Sequence, residues 1–471
     1  MCAARTPRTP WYNAEVNAGA REHAIVVGAS MAGMLAARVL ADHFGRVTVL
    51  DRDVLPDLAG PRKAVPQARH VHVLLASGRA ALVELLPGLE GDLERAGAPL
   101  VDPGVQAMWR GPFGWLVRPG PTDLLTRCVS RDLLEHLVRQ RVRAHPRVTV
   151  HSATAVAGLL ADHGGARVTG VRLATGEPLA AALVVDASGR GSHLPEWLVA
   201  HGHRPPEEIV VEPHAGYASG VFTGVRLPPP LSILFMPAHA PSQPRGGAIF
   251  PLEGGRHIVT LYGVGRDVPG TDPLAWQAFA ASLSSPAIAH ALAPATLVGK
   301  LSATRTTASR RRLWEDRDLP EGIVPIGDAI AAFNPVYGQG MTVAALEARA
   351  LAALLAEARG DLARVSRELP RRAAKIVQTP WLLATSEDLR FATTDGDRPP
   401  WLGMMARAND GLMSLCTRDG AATLAFARVA HLAAPPSSLA APRLAALIAA
   451  HAAHLRGPDP AMRAPELPGA S

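Results

Sequence analysis

Cysteine and lysine are scarce in this chain of 471 residues, and their scarcity excludes several kinds of site. The three cysteines, Cys2, Cys128 and Cys416, lie far apart and form no C-x-x-C pair. This spacing argues against a disulfide framework and against a thiolate metal site. Lysine occurs only at positions 63, 300 and 375, so the net charge of +7 comes almost entirely from arginine.

Aromatic residues and long apolar runs are also scarce. Only 4% of the residues are aromatic and no dense basic run is interleaved with them, so no nucleic-acid partner is predicted. No apolar run reaches the roughly 18 residues that cross a bilayer, so no integral membrane span is predicted. Residues 1–22 are polar and lack the apolar region of a signal peptide. We therefore expect a disordered tail there and a cytoplasmic protein.

What the chain does have is three glycine-marked segments, the first of them near the N-terminus. An apolar run at 24–28 leads into a glycine turn, and a second apolar run at 46–50 is followed by Asp51. The apolar residues between them recur at the spacing of one helix face: Met31, Met34, Leu35 and Val39. Strand, glycine turn, helix, strand and acid within about thirty residues is the pattern of a dinucleotide-binding unit.

The residues of this unit have separate physical roles. Gly28 permits the tight turn, Gly33 lets the helix pack closely on the sheet, and Asp51 can accept hydrogen bonds from ribose hydroxyls. The unpaired N–H groups at the helix start would face a pyrophosphate. Ser30 replaces the second glycine of the usual G-x-G-x-x-G, so its Cβ crowds the phosphate while its hydroxyl could donate a hydrogen bond. The residues predicted to bind the cofactor here are Gly28, Ser30, Met31, Ala32, Gly33 and Asp51.

The third segment, at 323–341, points to a flavin. An apolar strand ends at Gly327-Asp328, where the Asp328 carboxylate is placed to bind ribityl or ribose hydroxyls. A helix that starts near Gly338 would direct the positive end of its dipole at the pyrimidine edge of the ring, which becomes anionic on reduction. Proline and glycines there remove side chains where the backbone must approach a flat ring. The predicted cofactor-binding residues are Asp328, Pro335, Gly338, Gly340 and Met341.

The middle segment, Asp186–Ser192, follows another apolar strand. We expect Asp186 and Gly189 to help close this turn over the nucleotide. Taken alone, the segment is as consistent with a plain turn as with a binding site. The succession of the three segments along one chain predicts that the chain returns three times to one FAD.

Together, GASMAG, DASGRGS and GDAIAAFNPVYGQGM resemble the flavoprotein monooxygenases of the aromatic-hydroxylase fold, which include squalene epoxidase. Four further stretches are most similar to bacterial flavin-dependent epoxidases of polyether biosynthesis: Arg62–His72, CVSRDLLEHL with Arg131, Arg310–Leu313 and Trp381–Asp388. The resemblance covers residue 23 to about residue 395. It implies FAD contacts from a set of charged residues: Asp51, Arg52, Arg62, Arg131 and Asp328.

The organisation predicted from these segments is an α/β protein with a discontinuous Rossmann-type FAD-binding domain. This domain takes in 23–75, 120–200 and 305–358. Short alternating strands at 205–304 predict an antiparallel β-sheet substrate domain over the flavin, and residues 359–471 predict a helical C-terminal region.

The resemblance implies a monooxygenase that uses O2 as co-substrate and NAD(P)H as electron source, directly or through a separate flavin reductase. Oxygen transfer would proceed through a flavin C4a-hydroperoxide, and an alkene accepts its distal oxygen without an acid or base on the protein. We therefore expect epoxidation of C=C bonds in a lipophilic polyketide or isoprenoid. The polar residues expected near the flavin and substrate, and so the candidate catalytic residues, are His70, Gln67 and Asn334.

Three alternatives follow from the same residues. Hydroxylation of an aromatic polyketide would need a polar partner that helps to deprotonate a phenol. A flavin-dependent reductase of isoprenoid double bonds would use a related fold. A flavin halogenase would carry W-x-W-x-I-P and a lysine, whereas Trp109 and Trp115 do not match that motif. His70 and His72 lack a third ligand at a fitting distance, so no metal is predicted.

Overall fold

The computed structural model describes residues 22–62 and 66–455, with positions 66 and 67 described for the backbone alone. The tail predicted at 1–22 lies outside this part of the chain except for its last residue, and so does the side chain of Gln67. The described strands are β1 (His23–Val27), β2 (Arg46–Leu50), β3 (Leu100–Val101), β4 (Ala107–Gly111), β5 (Gly114–Trp115), β6 (Thr126–Arg127), β7 (Val148–His151), β8 (Val156–Ala161), β9 (Val168–Leu173), β10 (Pro178–Ala180), β11 (Leu183–Asp186), β12 (Glu208–Val211), β13 (Gly216–Thr223), β14 (Ile233–Met236), β15 (Arg245–Pro251), β16 (His257–Gly263), β17 (Thr296–Thr304), β18 (Ser309–Arg312), β19 (Ile323–Pro325) and β20 (Ala331–Ala332). The described α-helices are α1 (Met31–Leu40), α2 (Ala76–Leu85), α3 (Leu89–Arg95), α4 (Pro103–Gln106), α5 (Arg131–Arg143), α6 (Leu194–Ala200), α7 (Pro273–Ala281), α8 (Ala287–Leu292), α9 (Gly340–Ala358), α10 (Leu362–Asp388), α11 (Leu402–Cys416), α12 (Gly420–Ala430) and α13 (Pro442–His454).

One parallel sheet brings the three glycine-marked segments together. Its strand order is β19-β11-β1-β2-β7, and each neighbouring pair is parallel. The three apolar runs that precede the segments are the adjacent strands β1, β11 and β19. Because the carboxyl ends of parallel strands meet at one edge of a sheet, the three turns emerge side by side. The predicted α/β class with a Rossmann-type FAD-binding fold is confirmed.

Helix α1 packs its predicted apolar face on this sheet. The four positions expected from the helical periodicity are all buried: Met31, Met34, Leu35 and Val39. The helix lies so close to the turn after β1 that a Cβ added to Gly33 would be 1.8 Å from the carbonyl oxygen of Gly28. Only glycine allows this approach.

A seven-stranded sheet of order β17-β13-β16-β15-β14-β4-β5 forms the second layer. Its pairs are antiparallel apart from β14 and β4, which are parallel. The short strands predicted within 205–304 include β14, β15 and β16 of this sheet. The sheet also contains β4 and β5, from 107–115, which lie outside the predicted 205–304. The sequence did not reveal them, because a pairing between distant segments leaves no local pattern. The exact residue boundaries of the FAD-binding and substrate domains remain predictions.

The predicted helical C-terminal region is confirmed by α10 to α13. Helix α10 is 27 residues long and ends at Asp388. Helix α13 packs against α11, since a Cβ added to Gly411 would lie 2.4 Å from the carbonyl oxygen of Ile448. Within residues 22–62 and 66–455, none of the helices has the length and apolar character needed to span a bilayer.

Candidate functional site

The three glycine-marked segments touch one another pairwise. A Cβ added to Gly28 would lie 2.3 Å from the carbonyl oxygen of Ala187, which joins the first and middle segments. A Cβ added to Gly327 would lie 2.7 Å from the Cβ of Ala32, which joins the first and third. At Gly189 an added Cβ would be 4.0 Å from the Cβ of Asp328. The residues that the sequence singled out therefore surround one place.

The start of α1 is left open for a ligand by the way Ser30 is held. Ser30 is the N-cap residue, yet its side chain makes no capping hydrogen bond to the helix. Its hydroxyl donates instead to Oε1 of Glu135, at 2.6 Å. The first-turn N–H groups, including those of Met31 and Ala32, have no acceptor within the helix, so they remain available to a phosphate.

Glu135 is a buried carboxylate that the sequence reasoning missed. Arg131 donates to its Oε1 from Nη2 at 2.6 Å, and Arg62 Nη1 lies 3.5 Å from its Oε2. The charge of Arg131 and the hydroxyl of Ser30 outweigh burial and hold the pKa of Glu135 below its usual value. The i, i+4 spacing of Arg131 and Glu135 on one helix was the signal that could have revealed this pair.

Asp51 lies at the end of β2, where ribose hydroxyls were expected. Its carboxylate accepts the N–H of Ala29 at 2.7 Å and that of Asp53 at 2.8 Å. Arg62 donates to Oδ2 at 2.7 Å and also to the carbonyl oxygen of Ala29. Arg52, the next residue along the chain, is exposed. Asp51 and Arg62 thus order the first segment, and their contact with FAD stays a prediction.

Asp186 lies beneath the middle segment. It is completely buried, and its carboxylate accepts hydrogen bonds from the hydroxyls of Ser188 and Ser192. The residue therefore fixes the shape of the turn that carries Gly189, whose φ is +83°. A Cβ added to Gly191 would have no heavy atom of the described residues within 4 Å, so this turn borders open space.

The Gly327-Asp328 turn rests on a second buried acid that the sequence reasoning missed. Glu347 of α9 accepts the N–H of Gly327 on Oε2 at 2.6 Å, and its Oε1 has no hydrogen-bond partner among the described residues. Burial raises the pKa of Glu347 to about 8. Burial also raises the pKa of Asp328, against the charges of Arg190 and Arg131.

The 334–338 loop leads from this turn to the N-terminus of α9. Gly338 has φ +64°, and a Cβ added to it would pack 3.5 Å from the Cβ of Val73. Gln339, the N-cap of α9, makes no capping hydrogen bond, so the first N–H groups of this helix, near Gly340 and Met341, are also free of a side-chain cap. The loop is therefore the place where backbone could approach a flat ring.

A cavity of about 870 Å³ opens beside this loop and extends to the C-terminal helices. Its wall is mainly apolar and is supplied by the seven-stranded sheet and by α11 and α13. The apolar lining includes Val71, Val73, Met108, Trp109, Phe235, Phe250, Leu412, Met413 and Ile448. The polar lining residues around the loop are His70, Tyr217, Tyr262, Asn334, Tyr337 and Asp388, and further polar residues of the wall include His239, Arg390, Arg407, Asn409 and His431.

His70 is a buried polar residue of the cavity wall. Its Nδ1 is 2.8 Å from the hydroxyl of Ser219, which is 2.6 Å from that of Thr260. Its Nε2 is buried without a hydrogen-bond partner among the described residues. Burial lowers the pKa of His70 to about 4, so the ring is neutral at physiological pH. His72 is turned back onto the carbonyl oxygen of His70.

Asn334 is held in a network of hydrogen bonds. Tyr217 donates its hydroxyl to Oδ1 of Asn334, and Nδ2 of Asn334 donates to both carboxylate oxygens of Asp388, at 3.2 and 3.1 Å. Tyr337 donates to Oδ1 of Asp388 at 2.9 Å. Because both ends of the Asn334 amide are engaged, this residue is placed to order the loop, and a direct part in catalysis stays a prediction.

The arrangement fits FAD. The helices α1 and α9 both begin without side-chain caps, and the segments that precede them are in contact through Ala32 and Gly327. The first segment would hold the pyrophosphate and, through Asp51, the adenosine ribose. The Asp328 turn would hold the ribityl chain, and the 334–338 loop would face the ring. The ring would then lie at the end of the cavity next to this loop.

Comparison with known proteins agrees with this geometry. A family model described as an FAD binding domain matches residues 21–367. Protein Rv3254 of Mycobacterium tuberculosis is 36% identical over 392 residues, covering 79% of this chain and 81% of that protein. The flavin-dependent brominase Bmp2 has a TM-score of 0.59 at 17% identity, covering 90% of this chain and 93% of that one. The oxygenase MHPCO, which acts on 2-methyl-3-hydroxypyridine-5-carboxylic acid, has a TM-score of 0.59 at 18% identity, covering 88% and 99%. At these identities the two solved structures show a shared fold alone.

Proposed function

The chain belongs to the FAD-binding-domain family of aromatic-hydroxylase-type flavin monooxygenases, and from this premise we propose that it epoxidises C=C bonds of a lipophilic polyketide or isoprenoid. The chain is a flavin-dependent monooxygenase, and the proposal concerns its substrate and the bond that it oxidises. We propose NAD(P)H as the electron source, used directly or through a separate flavin reductase.

The observation that carries the proposal is the cavity. Its volume of about 870 Å³ is near the upper end of the range for small-molecule sites, roughly 300–1,000 Å³. Aromatic, aliphatic and methionine side chains supply most of its wall, which favours a large apolar molecule over a small polar one. The cavity meets the 334–338 loop at one end, so a double bond seated there would lie next to the proposed position of the flavin ring.

The chain's residues would bind, orient and exclude water. The N-terminus of α1 and Asp51 bind the nucleotide, the apolar wall keeps water from the reacting end, and neutral His70 adds no charge beside an apolar substrate. Bound FAD, once reduced, supplies the two electrons that split O2, so that one oxygen atom enters the double bond and the other leaves as water. An epoxidation of this kind needs no proton transfer from a side chain to the alkene.

A second candidate, hydroxylation of an aromatic polyketide, is favoured by one observation. The Nε2 atom of His70, a residue of the cavity wall, has no partner among the described residues. A neutral imidazole can accept a hydrogen bond from the hydroxyl of a phenol at this atom and so orient the ring, provided that the imidazole carries its own proton on Nδ1 and donates it to Ser219. Ser219 in turn can donate to Thr260.

A matched pair of probes separates the two candidates. The FAD-loaded protein is given O2, NAD(P)H and a flavin reductase together with squalene or with 4-nonylphenol. Epoxidation predicts a product one oxygen heavier from squalene that acid converts into a diol. Ring hydroxylation predicts a catechol from the phenol and no product from the polyene. Epoxide-free turnover of the phenol alone would overturn the first proposal in favour of the second.

A further inference from the structure

The 334–338 loop is anchored on one side by the main body of the protein. The N–H of Asn334 donates to the hydroxyl of Ser309 at 3.0 Å, and the N–H of Val336 donates to the hydroxyl of Tyr217 at 2.9 Å. Ser309 lies on β18 and Tyr217 on β13 of the seven-stranded sheet. These contacts fix the backbone at the start and middle of the loop.

On the other side, one residue from the C-terminal region holds the loop at both of its polar ends. Asp388, the last residue of α10, accepts from the Asn334 side-chain amide and from the hydroxyl of Tyr337. The hydroxyl of Thr394 donates to the Asp388 carbonyl oxygen at 2.6 Å, which fixes the helix end itself. The two loop residues flank Pro335 and Val336, so Asp388 restrains the loop from the side opposite Ser309 and Tyr217.

All hydrogen bonds in this network run toward the Asp388 carboxyl group. Tyr217 donates to Asn334, while Asn334 and Tyr337 donate to Asp388. An ionised carboxylate only accepts hydrogen bonds, so the charged form of Asp388 can take the Asn334 amide and the Tyr337 hydroxyl at the same time. A neutral carboxylic acid carries a proton of its own, so one of its oxygens would be a donor. It would then be a poorer acceptor for the two donors, Asn334 and Tyr337.

The surroundings of Asp388 oppose that charge. The residue is buried, and the titratable groups that act on it or on its partners are Glu387, Glu212, Tyr217, Tyr262, Tyr337 and Arg190. Glu387 and Glu212 disfavour a second negative charge, while Arg390 compensates Glu387 rather than Asp388. Burial outweighs the two donors and raises the pKa of Asp388 to about 7.

We propose that Asp388 is a positioning residue for the cofactor, whose ionised carboxylate holds the 334–338 loop against the flavin ring. The inference rests on the proposed position of the ring beside this loop. It goes beyond the oxidation itself, because it assigns to the end of a C-terminal helix a role in the geometry of the flavin site. Asp388 acts through Asn334 and Tyr337 and needs no contact with the reacting atoms.

The test measures flavin binding rather than turnover. The absorbance spectrum of bound FAD and its dissociation constant, from quenching of flavin fluorescence, are recorded from about pH 5 to about pH 9. In the wild-type protein we expect both to change with a midpoint near pH 7, with tighter binding above it. Glu347→Gln, which removes the other carboxyl of raised pKa beside the site, should keep this midpoint. Asp388→Asn keeps the shape of the side chain but cannot ionise, so the midpoint disappears.

Two tyrosine variants provide the matched comparison. Tyr337→Phe removes a donor to the charged carboxylate, so the midpoint should rise by about one pH unit. Tyr262→Phe removes the same hydroxyl from another buried tyrosine of the cavity, whose hydroxyl accepts the N–H of Ala238. This control should leave the midpoint in place.

Three results would overturn the inference: a wild-type profile without a midpoint, a midpoint that persists in Asp388→Asn, or an equal shift in both tyrosine variants. Thermal melting shows whether Asp388→Asn is folded; if it is not, the comparison of the two tyrosine variants decides. A wild-type protein that binds no FAD at all would instead remove the premise, the flavin site, so the two failures are distinguishable.

Discussion

The hydroxyl of Ser30 donates a hydrogen bond of 2.6 Å to the carboxylate of Glu135, 105 residues further along the chain. This contact explains why a serine can stand at the second glycine position of the dinucleotide-binding turn. The hydroxyl is directed at α5 rather than at the N–H groups of its own helix, so those groups stay free for phosphate. Arg131 donates to the Ser30 hydroxyl at 3.1 Å and to Glu135, which balances the buried charge beside the proposed pyrophosphate.

The first prediction concerns close packing in the first segment. Gly33→Ala would bring a Cβ to 1.8 Å from the Gly28 carbonyl oxygen, so the turn must shift. We expect FAD affinity to fall by about tenfold or more, measured by fluorescence titration, since the phosphate-binding N–H groups move with the turn. Gly91→Ala in α3 is the control, because a Cβ added there meets no heavy atom of the described residues within 4 Å. Normal FAD affinity in Gly33→Ala would contradict the assignment.

The second prediction concerns the strand-end acid of the third segment. Asp328→Ala should contain little FAD, because the variant loses an acceptor for the ribityl hydroxyls. It should still fold, because the substitution removes a carboxylate whose charge is disfavoured by burial. The flavin-to-protein absorbance ratio after reconstitution measures the effect. Asp123→Ala removes an exposed carboxylate and serves as the control. Full flavin occupancy in Asp328→Ala would rule out this role.

The third prediction is a dependence of stability on pH through Glu347. Burial raises the pKa of Glu347 to about 8 from its ordinary value of 4.5, so the folded state holds a proton that the unfolded state releases. The stabilisation is complete below about pH 4.5 and is lost as the pH rises through about 8. The side chain of Glu347→Gln cannot ionise, so this variant should lack the loss of stability. In denaturant melts, the free energy of unfolding of the variant relative to that of the wild-type protein should therefore rise with pH. Parallel pH profiles for the two proteins would refute the prediction.

The fourth prediction concerns His70. His70→Ala should keep FAD but lose product formation, because the residue lines the cavity. Since the pKa of His70 is lowered to about 4, titration of the ring should not appear in the rate profile above about pH 5. Ser219→Ala removes the hydrogen-bond partner of Nδ1 but keeps the imidazole ring. Comparing the two variants shows whether turnover depends on the tautomer of His70 or on the presence of the ring. Unchanged turnover in His70→Ala would return the residue to a purely structural role.

Much of the fold could be predicted because its signals are local. The apolar runs before Gly28 and Gly327 are strands of five and three residues, and the periodic face of α1 is buried. Glycine is required where two segments approach closely, and this steric requirement is visible in the sequence at a single residue. The pairwise contact of the three segments follows from their positions on adjacent parallel strands.

The buried acids could not be predicted with the same reasoning. Glu135, Glu347 and Asp388 each lie on a helix and serve a partner on a distant segment, so their roles depend on how the helices pack. Asp388 ends the stretch Trp381–Asp388 that the sequence singled out, yet the stretch alone gives no reason for a carboxylate there. The cavity likewise arises from side chains of the sheet and the C-terminal helices, which no single segment reveals.

Labelled oxygen tests directly whether the protein inserts one atom of O2 into its substrate. The FAD-loaded protein is reduced without air, mixed with oxygen-18 gas and a panel of lipophilic polyenes and phenols, and the products are analysed by mass spectrometry. A monooxygenase forms products that carry one oxygen-18 atom, with the second atom of O2 recovered as water. Turnover that yields products without oxygen-18, either gaining two hydrogens or incorporating added bromide, would contradict this assignment.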